Sequence, residues 1–235
     1  MQEMTQTGKI VSIHQPNYIP WLGYFYKIAQ ADIFVFLDDV QFSNQGMQNY
    51  HYIKTPQGPF RLKIPVKKTF GENINQVLIN NDLDWRKKHL KTIEVNYRRS
   101  KYFEEVFNDL ELLFKSDYNS IADLDRFIIE FVCKKFGIYT KLINSSELNI
   151  NSHKEEKILD ICDTLNCKIY YSGTGAKVYQ DEDNFGLRGI ELRYSKFQPF
   201  EYPQLWGAFQ VNVTVLDYLM NCGYDWDNVM RHQNN

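Results

Sequence analysis

The sequence predicts an α/β protein: a three-layer, Rossmann-like, mainly parallel sheet that carries a helical insert. Three observations predict it. A short run rich in β-branched residues, Lys9 to Ile13, stops abruptly at His14-Gln15-Pro16-Asn17, as a strand does where it feeds a loop. From Trp21 to Gln30 apolar residues recur at helical spacing, and Pro20 suits a position near a helix start. Ala31-Asp32 then leads into Ile33-Phe34-Val35-Phe36-Leu37, a continuous apolar run of the kind a strand buried on both faces needs. Strand, helix and strand within about thirty residues make the βαβ unit of a parallel sheet.

The remaining elements follow in order. Residues 1–8 are polar and are expected to fray. Residues 38–50 read as a loop rich in Asp, Gln, Asn and Gly. His51 to Lys54 and Phe60 to Val66 read as two strands with Pro56-Gln57-Gly58 as the turn between them. Helical periodicity dominates residues 83–136, as Asp84–Arg98, Tyr102–Lys115 and Ile121–Phe136, with Gly137 as a C-cap. Thr140 to Ile143 reads as a strand, Lys154 to Leu165 as a helix, and Lys168 to Tyr171 and Ile190 to Tyr194 as strands. A last helix spans Thr214–Asn221 and stops at Gly223. With no internal repeat and no low-complexity linker, residues 1–235 read as a single domain with an insert at about 83–136.

Composition narrows the function. The 235 residues can bury a substantial core, and 43% hydrophobic with 24% charged residues is ordinary for a folded protein. A net charge of -2 argues against a general nucleic-acid binder, which needs a clustered basic excess. Arg86-Lys87-Lys88 reads as a solvated helix face. Aromatic residues reach 15%, and they either fill the core or line a cleft for a polar ligand such as a sugar. Cys133, Cys162, Cys167 and Cys222 form no CxxC pair and lie at no metal-finger spacing, so no metal is expected. Free thiols with no signal peptide fit the cytoplasm. No apolar run approaches the roughly 20 residues needed to span a bilayer, so direct membrane insertion is not expected.

The densest polar and aromatic cluster is His14-Gln15-Pro16-Asn17-Tyr18-Ile19-Pro20-Trp21-Leu22-Gly23, where the first strand gives way to the first helix. Open α/β sheets bind ligands outside the carboxyl ends of their strands. His14 there is either a general base, with an ordinary pKa of about 6.5, or a cap on the following turn. Gln15, Asn17, Tyr18 and Trp21 are candidate substrate contacts. Asp38 and Asp39 end the second strand and either hold a metal, a sugar hydroxyl or an amine, or cap the next turn. Gln41, Asn49, His51 and Lys54 extend the candidate wall. Ser172-Gly173-Thr174-Gly175-Ala176-Lys177 follows a strand and is either a phosphate-binding turn, through Ser172, Gly173, Thr174 and Lys177, or a plain tight turn. Trp85 and His89, four apart, share a helix face. Asp217 stands in an otherwise apolar helix and, if buried, requires a partner. No Gly-x-Ser-x-Gly elbow is present and no Gly-x-Gly-x-x-Gly follows the first strand, which disfavours a serine hydrolase and a dinucleotide fold.

The run Ile13 to Gly23, with Lys27-Ile28, Ala31-Asp32 and Leu37-Asp38-Asp39-Val40-Gln41-Phe42, resembles the opening signature of the WbqC-like family. The resemblance continues through Asn49, Ile53-Lys54 and Ile64-Pro65-Val66, and resumes at Tyr171-Ser172-Gly173, Gly175-Ala176 and Val215-Leu216-Asp217. Where relatives carry Asn-Arg-Asn-Arg, this chain has Asn49-Tyr50-His51-Tyr52, which leaves Lys54 as the nearest cation. The resemblance implies a role in O-antigen or related bacterial polysaccharide biosynthesis, including decoration of an amino sugar. A fainter similarity joins the first strand, loop and helix to the nucleotidyltransferase-like superfamily, but Trp21-Leu22-Gly23-Tyr24 stands where that superfamily has His-x-Gly-His.

The expected function is therefore a transferase acting on a nucleotide-linked amino sugar by amide-forming acyl or aminoacyl transfer. His14 would accept the amine proton, Asp38 and Asp39 would orient the amine or sugar, and 172–177 would hold a phosphate. The expected co-reactant is ATP or an acyl-thioester donor, and the expected partner is a nucleotide-linked sugar, with a homodimer left open. The alternatives are an ATP-dependent ligase that forms an acyl-adenylate, and a sugar-binding or scaffold protein without catalysis.

Overall fold

A computed structural model describes residues 8–234; the expected fraying of residues 1–8 concerns a segment that, Gly8 apart, lies outside them. The chain order is β1 (Lys9–His14), α1 (Leu22–Ala29), β2 (Ile33–Phe36), β3 (Tyr50–Thr55), β4 (Gly58–Lys63), β5 (Val66–Lys67), β6 (Leu78–Ile79), α2 (Trp85–Tyr97), α3 (Phe103–Lys115), α4 (Ile121–Phe136), β7 (Lys141–Asn144), α5 (Lys154–Thr164), β8 (Cys167–Ser172), α6 (Glu182–Leu187), β9 (Glu191–Tyr194), α7 (Val215–Cys222) and α8 (Trp226–Gln233). The described residues divide into two compact units.

The first unit holds the chain up to Gln15, Tyr26–Asp38 and Tyr139–Phe197. Its sheet has the strand order β7-β2-β1-β8-β9, and every pair is parallel. The fold is thus α/β, with a five-stranded parallel sheet flanked by helices in the Rossmann-like manner. β2 is buried at all four positions, as a strand covered on both faces must be. Val11, Ile13, Ile33 and Val35 share one core with Ile161 and Cys162 of α5 and Phe185 of α6. Chain order fixes what this topology does. The strands β1, β2 and β7 step outward to one side, and β8 and β9 then fill the other side of β1. The reversal falls between β1 and β8.

The second unit holds Pro16–Phe25, Asp39–Ile138 and the chain from Gln198 onward. β3 and β4 form a hairpin whose register runs from Tyr50↔Lys63 to Thr55↔Gly58. Gly58 closes the turn with φ of +105°, a conformation that disfavours any side chain. The three helices expected in 83–136 form with ends close to those read from periodicity. Ser120 Oγ caps α4 by accepting from Asp123 N at 3.1 Å, and Gly137 ends it at φ 72°. The pair β5–β6 and the helices α6 and α8 carry no signal strong enough to be read from sequence alone. Each is short and takes its form from its neighbours.

Asp217 of α7 has the partners its burial demands. Tyr97 Oη donates to Oδ2 at 2.8 Å and Tyr202 Oη to Oδ1 at 3.0 Å. The network extends further: Tyr97 Oη accepts from Lys54 N at 3.0 Å, and Lys54 Nζ donates to Gln204 Oε1 at 3.0 Å and to Ala208 O at 2.6 Å. It fastens the segment 202–210 to β3 and α7. Replacing Asp217 by Ala leaves the buried Tyr97 hydroxyl and the half-buried Tyr202 hydroxyl without their acceptor, so Asp217→Ala should lower unfolding stability by about 3 kcal/mol, read from the urea midpoint at unchanged slope.

Candidate functional site

The sheet of the first unit opens at its carboxyl end, and the backbone ladders show where. The β1–β2 ladder runs to His14↔Phe36 and the β8–β9 ladder to Ser172↔Tyr194. Between them, the β1–β8 ladder ends at Val11↔Tyr170. One step further the join is made by a side chain, Ser12 Oγ donating to Tyr171 O at 2.7 Å. Beyond it β1 and β8 continue to His14 and Ser172 without pairing to each other. A crevice at the point where strand order reverses is the general ligand position of open α/β sheets.

Lys27, on α1, reaches into this crevice. Ile10 and His14 direct their carbonyls toward β2, since Asp32 N and Leu37 N donate to them at 2.9 and 2.8 Å. Carbonyl direction alternates along a strand, so Ile13 O points to the β8 side, past the end of the β1–β8 ladder. Lys27 Nζ donates to it at 2.7 Å. Lys27 as a whole is 4% exposed, and burial lowers its pKa to about 7. Sequence reading assigned Lys27 no role. The one available signal was a lysine placed one helical turn inside an apolar stripe.

His14 ends β1 and keeps some solvent exposure. Its Nδ1 lies 2.9 Å from Gln15 O. A carbonyl only accepts, so Nδ1 carries the proton and the lone pair is on Nε2. Burial, and secondarily the Lys27 charge, lowers the imidazole to about 3. This is a correction to the expectation of a base near 6.5: at neutral pH the ring is uncharged and a weak proton acceptor. Its contact with Gln15 O is the cap on the following turn, the other alternative that the sequence offered.

Asp38 is held by the turn Ser145–Leu148 after β7. Oδ1 accepts from Ser145 Oγ at 3.1 Å and Ser146 N at 3.0 Å, and Oδ2 from Ser146 Oγ at 2.7 Å. The carboxylate organises that turn. Ser172 Oγ donates to Gln180 Oε1 at 3.0 Å, closing the loop 172–180 on itself. Gly173 opens a short turn, Thr174–Ala176, and Thr174 is exposed. Lys177 is exposed, with Nζ 5.8 Å above the Tyr194 ring. Adjacent strand ends therefore bring together His14, Gln15, Asp38, Ser172 and Gly173 along one sheet edge. An open depression of about 840 Å³ lies at the opposite, amino end, lined by Lys9, Ile10, Asp32, Ile33, Lys141 and Ile169. None of the predicted residues lines it.

The other candidates belong to the second unit. Asn17 is buried, and Trp21 folds its ring over the start of α1, 2.3 Å from where a Cβ on Gly23 would stand, which accounts for the glycine. Asp39 is half-buried in the loop after β2, and Gln41 is exposed and bridges to Asn73. Asn49 Nδ2 donates to Ile64 O at 2.9 Å, a clamp on the hairpin. His51 Nδ1 accepts from Tyr52 N at 2.9 Å, which leaves a buried Nε2 with no partner among the described residues, and burial lowers the ring to about 4. Lys54 is committed to the Asp217 network. Ile19 adopts φ of +42°, rare for a β-branched residue, and costs about 1–3 kcal/mol. Hydrogen bonds from Thr214 Oγ1 to Ile19 O at 2.6 Å and from Val215 N to Pro20 O at 2.8 Å hold it there.

Tyr18 Oη meets His89 Nδ1 at 2.9 Å, and His89 Nε2 lies 3.2 Å from Lys63 O. His89 is thus a buried link between α2 and the hairpin. Arg86, expected in solvent, has buried Nε and Nη2 atoms without hydrogen-bond partners among the described residues, and its guanidinium lies 4.6 Å over the Trp85 ring. Asp125 of α4 is fully buried, with no hydrogen-bond partner on either oxygen among the described residues. Burial raises its carboxyl well above the ordinary range, and its field raises the Tyr18 and Tyr24 hydroxyls further. Among the described residues there is no group of three or more His, Cys, Asp or Glu side chains able to hold a metal ion, and no helix long and apolar enough to cross a membrane.

Comparison with known proteins adds the following. The sequence profile of the WbqC-like protein family matches residues 15–228. The chain is 33% identical over 228 residues to the uncharacterized protein Rv1507c of Mycobacterium tuberculosis (strain ATCC 25618 / H37Rv), covering 95% of this chain and 98% of that one. No solved structure matches.

The buried acid gives a measurable signature. Its folded-state pKa lies above the unfolded value of about 4, so the folded chain binds more protons and stability falls as pH rises beyond that value. Asp125→Asn removes this slope. Urea titrations should find the variant gaining on the wild type between pH 5 and pH 8; parallel profiles would mean that Asp125 is ionised throughout.

Proposed function

This chain belongs to the WbqC-like protein family, and on that premise we propose that it is a transferase of bacterial polysaccharide biosynthesis that forms an amide on the amino group of a nucleotide-linked sugar. The observation that carries the reading is the carboxyl edge between β1 and β8, where the strand order of a Rossmann-like sheet reverses and the central ladder stops short, the position at which open α/β sheets take their ligands. The sugar amine attacks the activated acyl carbon, the C–N bond forms, and the donor's leaving group departs. The amine must be neutral to attack. His14, itself uncharged at neutral pH, orients the amine by hydrogen bonding, and the proton that the nitrogen loses passes to the departing thiolate, or to solvent where the leaving group is AMP. Asp38 supports the edge by holding the turn at 145–148. The loop 172–177 borders the phosphates. This work takes place in the cytoplasm, with an acyl thioester as donor, or with ATP where the acyl group is first adenylated.

A second reading, sugar binding without turnover, draws support from the commitment of Asp38 and Ser172 to neighbouring groups. Incubation with a panel of nucleotide-linked amino sugars and acyl thioesters, with a parallel ATP, magnesium and free-acid arm, separates the readings by product mass and pyrophosphate release. Amide product is expected, with kcat/KM lowered about 100-fold in His14→Ala. Its pH profile should follow the substrate amine and show no inflection from His14 between pH 5 and 8. Sugar binding with no product from any donor, undiminished in His14→Ala, would leave the binding protein.

A further inference from the structure

Within the reading just given, one group in the crevice has no assigned task. Lys27 Nζ lies on the β8 side of β1, where Ile13 O has lost its strand partner. Lys27 as a whole is 4% exposed, and its Nζ has that single acceptor among the described residues and no carboxylate within ion-pair distance. No acid on the surrounding elements lies close enough to offset its burial, which alone sets the direction of its pKa. On β2, Asp32 accepts from Ile10 N at 2.8 Å at the amino end, and Asp38 is held by Ser145 and Ser146. On β9, Glu191 pairs with Arg193. On β1, His14 is neutral, and on β8 burial raises the Tyr170 phenol, so it stays protonated. A buried ammonium with one neutral acceptor is unfavourable unless it is discharged or meets an anion.

We propose that Lys27 is the anion-binding residue of the β1–β8 crevice, and that it takes a phosphate of a nucleoside diphosphate in direct contact. The topology supplies the second argument: phosphates of nucleotides bound by doubly wound sheets rest at the carboxyl ends of the strands beside the reversal, which is where this ammonium is. Lys177, the cation expected from the sequence, is solvent-exposed and stacked over Tyr194, and a charge in solvent adds little. Burial holds the amine at about 7, well below an ordinary lysine. Binding of a dianion draws a proton from solvent onto Nζ, so the crevice trades a marginal charge for a paired one.

The test is calorimetric titration at pH 8 with uridine diphosphate, inorganic phosphate and acetate, each in two buffers of different ionisation heat. At that pH the diphosphate is ionised and Lys27 is mostly neutral. The wild type should bind uridine diphosphate with uptake of close to one proton. Lys27→Met, which replaces a buried charge by an apolar chain and should fold at least as well, is expected to bind about 10- to 100-fold more weakly and without proton uptake. Lys27→Gln, which keeps a donor for Ile13 O, should match the Met variant; wild-type affinity in Lys27→Gln would overturn a role for the charge. Equal affinity in wild type and Lys27→Met overturns the inference and leaves the transferase reading in place. Lys27-dependent binding of phosphate with none of the nucleotide keeps the inference and removes the nucleotide from that reading. Lys27-dependent binding of acetate alone would assign the charge to a carboxylate and overturn the phosphate assignment, and no anion binding at all overturns it outright.

Discussion

β1 is paired by β2 through His14 but by β8 only as far as Val11. A buried backbone carbonyl does not stay unpaired, because losing its hydrogen bond costs the full desolvation of the group. Where β8 withdraws, the unmet carbonyls of β1 must find donors from elsewhere, and the nearest element is α1. Lys27 answers that demand at Ile13. The early end of the ladder also leaves Ser12 to span the last step with its hydroxyl, and Lys27, drawn to Ile13 O, stands close enough to His14 for its charge to help keep the imidazole neutral. The chemistry available at this edge is thus set by a backbone event, the early end of one parallel ladder, more than by any sequence motif.

Buried polar groups elsewhere in the protein sort by whether their demands are met. Asp38 and Asp217 each accept two or more hydrogen bonds and act as fasteners, the first for a turn of the first unit and the second for a loop of the second. Asp125 accepts none from the described residues. An acid in that position is tolerable only as the neutral carboxylic acid, which is the direction its burial imposes. Three aspartates in apolar sequence contexts therefore hold different roles, and residue type alone does not distinguish them.

The fold was legible in the sequence because its signals are local. β2 is a continuous apolar run, α4 has both a Ser120 cap and a Gly137 stop, and the Pro56-Gln57-Gly58 turn fixes a hairpin register. The strand order was not legible, since the reversal between β1 and β8 is a long-range fact that no window of residues contains. The site was legible in part for the same reason. The placing of His14 and Ser172 at neighbouring strand ends was readable because each closes a short β-branched or aromatic run. Lys27 was missed because a lysine inside an apolar helix face reads as a side chain that reaches out to solvent, and only the missing β8 partner makes it turn inward. Lys54, offered as the nearest cation to a lost arginine pair, turned out to serve the loop around Gln204.

The choice of lysine over arginine at this position has a physical sense. A guanidinium keeps its charge under nearly any burial, whereas an amine can shed its proton when the surroundings offer no anion. An arginine at position 27 would hold an uncompensated charge in the empty crevice and would drive His14 further from protonation. A lysine can shed its proton when no anion is near, so the fold avoids most of the penalty of a buried ion. The charge then becomes strong when an anion arrives to stabilise it, and the affinity of the crevice for anions is coupled to pH through a single side chain. A site built this way discriminates by charge before shape, because a neutral ligand of the same size leaves the amine discharged and contributes one weak hydrogen bond in place of an ion pair.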